Sequence, residues 1–247
     1  MPQFNTALIS ILLPLTLLVP AAQAGDIHSF ASGNTRAATI ELFTSEGCSS
    51  CPPADAWLSG LKNDPRLWKQ VVPMAFHVDY WDYIGWRDRF ASPANSTRQR
   101  THKIQGNIRS VYTPGFVVDG REWRGWFRRG TLNLADSEAK PLRVDIDGAA
   151  VSASYTTGDV AEPLMLNVAL LGFNLSNQID SGENSGRRLN HDFVVLQQKS
   201  MLSTNGSWQL DMPSITESPV ETKGIAAWIS HPHSLKPLQA TGGWLKN

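Results

Sequence analysis

The hydrophobic pattern divides the chain into two stretches of different period. Residues 39–44 (Thr-Ile-Glu-Leu-Phe-Thr) read as a short strand. Residues 54–61 place Trp57, Leu58 and Leu61 on one side, the spacing of a helix. Residues 70–78, with Val71, Val72, Met74, Phe76 and Val78, read as a second strand. Residues 80–106 are polar and aromatic and in part helical. Residues 111–118 are interrupted by Pro114 and end on Asp119-Gly120, a hairpin signal. Residues 121–140, rich in Arg and Trp, read as a last helix or loop. From Leu142 onward helical spacing nearly disappears. Leu142, Val144 and Ile146 alternate with charges, and Val151, Ala153 and Tyr155 with Ser and Thr. Further strands are expected over 164–171, 191–197 and 225–229. The expected organisation is an α/β domain over residues 25–141 and an all-β, sandwich-like domain over residues 142–247.

The apolar stretch from Ala7 to Val19 is broken only by Ser10, Pro14 and Thr16, and Ala22-Gln23-Ala24 follows it. This pattern predicts a secretory signal peptide over residues 1–24, cut after Ala24. Its leading residues lack Lys and Arg, and the other reading is an uncleaved anchor. No other segment is apolar enough to cross a membrane. Both readings put the body of the protein in an oxidising compartment, periplasmic or secreted; in the cleaved case no stable membrane insertion is expected.

Composition narrows the function classes. The 247 residues are 41% hydrophobic and 18% charged, enough apolar material for a core and too few charges for a disordered chain. The 22 basic and 22 acidic groups cancel, so no global field favours nucleic acid. Arg121, Arg124, Arg128 and Arg129, interleaved with Trp123 and Trp126, do not change that expectation.

The two cysteines carry the candidate chemistry. Cys48-Ser49-Ser50-Cys51 follows a strand and precedes Pro52-Pro53 and a helix. Two cysteines three apart on a first helical turn can close a disulfide, and the helix N-terminus stabilises a thiolate. Cys48 is expected to be the exposed nucleophile and Cys51 the shielded resolving thiol. A purely structural disulfide and a Cu(I) site are the alternatives. With no second Cys pair, a four-cysteine zinc site cannot form. Glu46 lies close to Cys48 and would oppose its thiolate.

Residues 41–55, Glu-Leu-Phe-Thr-Ser-Glu-Gly-Cys-Ser-Ser-Cys-Pro-Pro-Ala-Asp, resemble the opening motif of a bacterial family of secreted thioredoxin-like proteins catalogued as a domain of unknown function. His77-Val78-Asp79-Tyr80-Trp81-Asp82 with Gly85-Trp86, Arg98-Gln99-Arg100 and Val111-Tyr112-Thr113-Pro114 are similar to its further motifs. Gly182-Glu183-Asn184, Gly186-Arg187, Leu189, His191 and Val194-Val195 resemble its second-domain signature. Gly115 and Leu196 depart from the family pattern. The resemblance implies a thioredoxin-like α/β domain followed by the β-rich one. In that setting Pro114 is expected to be cis, with the main chain of Thr113 free to pair with an extended substrate. Glu41, seven residues before Cys48, would assist proton transfer from Cys51 if burial raises its pKa; otherwise it is an exposed strand-end acid.

Other polar residues have blander expectations. His77, Asp79 and Asp82 tie a strand end to the next loop rather than hold a metal. Tyr80, Trp81, Tyr83, Trp86 and Phe90 either wall a groove beside Cys48 or cap the core. Arg98, Arg100, His102 and Arg109 read as a solvated helix face. His231 and His233 lack obvious partner ligands. No cofactor and no metal are assigned. The leading functional expectation is a thiol–disulfide oxidoreductase acting on protein or small-molecule thiols with an unknown redox partner. The alternatives are a non-catalytic thioredoxin-fold binding module of the cell envelope and a Cu(I)-handling protein.

Overall fold

The computed structural model describes residue 1 and residues 27–128, 130–134, 136–156 and 162–246. The predicted cleavage position after Ala24 and Arg129 lie outside the described residues. In chain order the elements are β1 (His28–Ala31), β2 (Ala38–Thr44), α1 (Pro52–Gly60), β3 (Val71–His77), α2 (Pro93–Ile104), β4 (Gly115–Val118), β5 (Arg121–Glu122), β6 (Leu142–Asp147) and β7 (Ala150–Tyr155). They continue with β8 (Leu164–Gly172), β9 (Leu175–Gln178), β10 (Arg188–His191), β11 (Val194–Ser203), β12 (Ser207–Asp211), α3 (Ser214–Glu217), β13 (Lys223–Ser230) and β14 (Pro237–Leu245). No described helix is long and apolar enough to cross a membrane.

Eight strands form one mixed sheet in the order β14-β13-β8-β11-β3-β2-β4-β5. β2 and β3 run parallel from Ala38↔Val71 to Thr44↔His77. β3 is buried at every position, so both of its edges need a partner. The second partner is β11: Val194 pairs in parallel with Ala75, and the Ala75 amide donates to the Phe193 carbonyl at 2.8 Å. A separate antiparallel sheet, β1-β6-β7-β12, packs against the large one. Between them lies a core of Leu142, Val144, Ile146 and Trp208 with Leu166, Val168, Ile225 and Ala227. The alternate residues of β8 and β13, Ala169, Leu171, Ala226 and Trp228, face the other core with Leu42, Phe43, Val72 and Phe76. Strands buried on both sides explain the near-continuous apolar runs at 164–171 and 225–229.

This arrangement corrects the expected fold class. The chain is not an α/β thioredoxin-like domain followed by a sandwich-like one. It is mostly β, and strands from both stretches share the eight-stranded sheet. Among the described residues only α1, of 9 residues, and α2, of 12, are longer than four residues. The physical reason is the exposed edge that β3 would leave, which is closed by a strand lying more than a hundred residues later.

Two helices flank β2. Thr44 on one face donates its hydroxyl to Asp55 of α1 at 3.1 Å. Glu41, three positions earlier and so on the opposite face, is held by Arg98 of α2. Pro93 opens α2, and Ser92 caps it by accepting from the Asn95 amide at 3.2 Å.

Candidate functional site

The end of β2 leads directly into the Cys motif. Cys48 and Cys51 are disulfide-bonded with a Cα–Cα distance of 5.4 Å. Cys51 is the N-cap of α1, and Pro52 and Pro53 occupy first-turn positions where no intrahelical N–H bond is lost. Ser49 and Ser50 are exposed, whereas Cys48 is only 1% exposed and Cys51 fully buried. The expected asymmetry, an open Cys48 and a hidden Cys51, is therefore not what the structure holds: both are enclosed.

The enclosure is built by residues far away in sequence. The buried Asn184 amide donates to the carbonyls of Glu46 (2.8 Å) and Cys48 (3.1 Å), and Arg187 holds its oxygen at 2.8 Å. Glu183 accepts from the Ser49 amide at 3.1 Å. Hydrogen bonding from the Ser49 hydroxyl, and then from its amide, holds the exposed Glu183 carboxyl below its usual range. Ser181 donates to the Gly85 carbonyl. On the other side Trp81 packs on Gly47, where an added Cβ would lie 2.9 Å from the Trp81 Cβ. Ser50 Oγ lies 3.4 Å from Cys48 Sγ.

The Thr113–Pro114 bond is cis, and Pro114 is buried. β4 pairs with β2 with Gly115 opposite Phe43, so Thr113-Pro114 lies at the end of β2 that feeds the Cys motif. Thr113 Oγ1 accepts from Trp81 Nε1 at 2.7 Å, which ties this segment to the residue packed on Gly47. An added Cβ at Gly115 would lie 2.9 Å from the Tyr112 carbonyl oxygen, so this position favours glycine.

Glu41 sits away from this chemistry. Its carboxylate takes two bonds from Arg98, at 2.7 and 2.8 Å, and one contact of 3.1 Å with His102 Nε2. Burial pushes its pKa up, but the charges and hydrogen bonds of Arg98 and His102 outweigh it and hold the carboxyl at about 2. A carboxylate that stays ionised and faces α2 does not serve Cys51. Arg98 and His102 are correspondingly buried, which corrects the solvated-face reading, while Arg100 and Arg109 are exposed.

The buried acid on the disulfide's side of the sheet is Asp55, one helical turn after Cys51. Burial raises its pKa to about 6, against the opposing pull of His191, His77 and the Thr44 hydroxyl. It belongs to a cluster the sequence reading missed. His77 Nδ1 lies 2.6 Å from Asp88, and His191 Nε2 lies 3.0 Å from Glu46. Glu46 also accepts from Trp86 (2.9 Å) and Asn177 (2.8 Å), so its charge is committed to these donors rather than left beside Cys48. Burial alone would lower the His77 pKa, but Asp88, Asp55 and Glu46 raise it; burial alone would raise that of Asp88, but His77 lowers it. Phe90 packs on both imidazoles, with centroids at 5.4 and 5.7 Å. Asp79 accepts from Ser96, and Asp82 accepts from the Asp88 amide at 3.2 Å, so both organise the loop after β3. The signal in the sequence was only the run from Gly182 to Val195, which contains Asn184 and His191 but does not show what they meet.

The structure is similar to the crystal structure of the protein AGR_C_4864 from Agrobacterium tumefaciens. The two are 24% identical with a TM-score of 0.59, over 84% of this chain and 93% of that one. It is also similar to HBP35 of Porphyromonas gingivalis, 14% identical with a TM-score of 0.55, over 87% of this chain and 76% of that one. At these identities the likeness speaks for the fold alone. No curated protein matches the chain. A family model matches residues 39–230, a span that runs from β2 through β13 and includes the Cys motif, the cis proline and the histidine cluster, and the chain thus belongs to the family described as Protein of unknown function (DUF1223).

Proposed function

We propose that the protein is an exported thiol–disulfide oxidoreductase, periplasmic or secreted, in which Cys48 and Cys51 exchange with protein or small-molecule thiols. The observation that carries this reading is the placement of the bonded pair. It spans the N-terminus of α1 around an exposed Ser49-Ser50 loop, at the same end of β2 as Thr113-Pro114. A substrate thiolate attacks Cys48 Sγ, the Cys48–Cys51 bond breaks, and Cys51 leaves as a thiolate that takes up a proton. A second substrate thiol then displaces Cys48, so two thiols become one disulfide and the pair becomes a dithiol. A disulfide of the redox partner restores the pair. The main chain of Thr113 would align an extended substrate. Because both sulfurs are enclosed, attack requires the Glu183-Asn184 turn to part from the Cys motif.

The test is the equilibrium of the native protein with glutathione. A potential between about −120 and −270 mV supports exchange chemistry, and one below about −300 mV marks a structural bond and ends the proposal. In a Cys51→Ala variant the Cys48 thiolate can attack the disulfide of an exported partner and release one of that partner's sulfurs as a thiolate, and with no Cys51 to resolve it the mixed disulfide on Cys48 should accumulate.

The enclosure itself, 1% exposure at Cys48 and none at Cys51, favours a second reading, a non-catalytic binding module of the cell envelope in which the disulfide is a staple. It predicts that Cys48→Ser leaves the protein's cellular role intact.

A further inference from the structure

Two buried imidazole nitrogens have no hydrogen-bond partner: His77 Nε2 and His191 Nδ1. Their residues are 0% and 2% exposed. In each ring the other nitrogen faces a carboxylate, Asp88 for His77 and Glu46 for His191. In the neutral ring, a carboxylate at one nitrogen makes that nitrogen the proton carrier and leaves the other with a lone pair, the form a metal ion binds by displacing any second proton. The two rings stand with centroids 4.9 Å apart, and one ligand atom from each of Asp55, His77 and His191 lies within 4.8 Å of the others. Thr44 orients the Asp55 carboxyl by donating to Oδ2. Among the described residues no other group of three His, Cys, Asp or Glu side chains comes together in this way. Leaving two polar atoms unsatisfied side by side in the interior costs stability, and a shared occupant removes that cost.

We propose that Asp55, His77 and His191 bind one divalent transition-metal ion, and that Asp88 and Glu46 position the two imidazoles for it. Two imidazoles and a carboxylate suit borderline ions such as Zn²⁺, Fe²⁺ or Co²⁺, and not Cu(I), which prefers sulfur. A carboxylate behind each ligating imidazole is the usual supporting arrangement of a metal site. With bonds of about 2.0–2.1 Å, a tetrahedral ion sets its ligand atoms about 3.3 Å apart. The side chains therefore draw in by at most about 1.5 Å from the observed spread. A water or the second Asp55 oxygen fills the remaining position. The ligands come from α1, β3 and β10, so the ion would fasten the Glu183-Asn184 turn region to the segment that carries the disulfide. This inference goes beyond thiol exchange and holds whichever way that reading falls, because the cysteines stay bonded.

The experiment titrates the purified, oxidised, chelator-stripped protein with Zn²⁺ and, as a spectroscopic probe, Co²⁺. The wild type should take up one ion per chain, and Zn²⁺ should raise its thermal midpoint. Co²⁺ should show visible d–d bands without sulfur-to-cobalt charge transfer. Asp88→Asn and Glu46→Gln should weaken binding roughly 10–100-fold, and His191→Gln and Asp55→Asn by more. If the variants fail to fold, the wild-type midpoint and Co²⁺ spectrum decide alone. Absence of uptake by the wild type, an unchanged affinity in a folded His191→Gln variant, or a sulfur charge-transfer band would each overturn the proposal. None of these outcomes depends on the glutathione equilibrium.

Discussion

Asn184 donates its side-chain amide to the carbonyl oxygen of Cys48, 136 positions earlier in the chain, at 3.1 Å. The same amide reaches the Glu46 carbonyl, so one buried side chain satisfies two main-chain acceptors on either side of Gly47. Asn184→Ala strands both acceptors and also frees Arg187. An unsatisfied buried group costs about 1–3 kcal/mol, and the expected loss is about 2–4 kcal/mol in a denaturant titration. Reduction of the disulfide by glutathione under native conditions should also become faster. An unchanged reduction rate in a destabilised variant means that this turn does not govern access to the sulfurs.

Gly47 is held to glycine by a neighbour. A Cβ there would meet the Trp81 Cβ at 2.9 Å and the Trp81 carbonyl oxygen at 3.4 Å, and part of that contact is backbone that cannot swing away. Gly47→Ala is expected to displace Trp81, break its 2.7 Å bond to Thr113 and cost about 1–3 kcal/mol. Trp81 fluorescence should shift with it. A wild-type unfolding midpoint in this variant would show that Trp81 is not packed on the Cys motif.

Local patterns carried the parts of the fold that depend on near neighbours. β2, β3, the Trp57-Leu58-Leu61 side of α1 and the Asp119-Gly120 turn are all written within a few residues. Asp119 and Gly120 both take positive φ, 50° and 69°, as a hairpin turn of that composition requires. What the sequence could not display was pairing across distance. The need of β3 for a second neighbour is visible in its apolar run, but nothing in that run names β11. That Asp55 rather than Glu41 lies on the disulfide's side depends on which face of β2 receives α1, a matter of packing rather than pattern. Arg98 and His102 looked like a solvated stripe because hydropathy cannot distinguish a charge in water from a charge paired in the interior.

Ser92 sets where α2 begins and so where Arg98 points. Its hydroxyl accepts from the Asn95 amide, and the Asn95 side chain in turn donates to the His77 carbonyl at 2.9 Å. Ser92→Ala should cost about 1 kcal/mol of stability, measured by urea unfolding, while Ser92→Asp should retain most of it. Equal losses in both variants would argue that the cap bond does not fix the helix start.

The Glu41–Arg98–His102 triad makes acid stability a property of the side of the sheet away from the disulfide. The Glu41 carboxyl lies at about 2 in the folded protein against an ordinary 4.5. The folded state thus binds this proton less readily than the unfolded state. The stabilisation is complete above pH 4.5 and is lost as pH falls from there towards 2. Over that window it amounts to about 3 kcal/mol, with little solvent screening because Glu41 is 1% exposed. Glu41→Gln should cost about 3–5 kcal/mol near neutral pH, since it leaves the buried Arg98 guanidinium without its counter-charge. The variant should also lose most of the extra acid sensitivity in that window, measured as the slope of urea midpoint against pH. Should wild type and Glu41→Gln show the same slope, the carboxylate that titrates on acid unfolding lies elsewhere, and Arg98 is held in place by its packing on Phe76 and Trp228 alone.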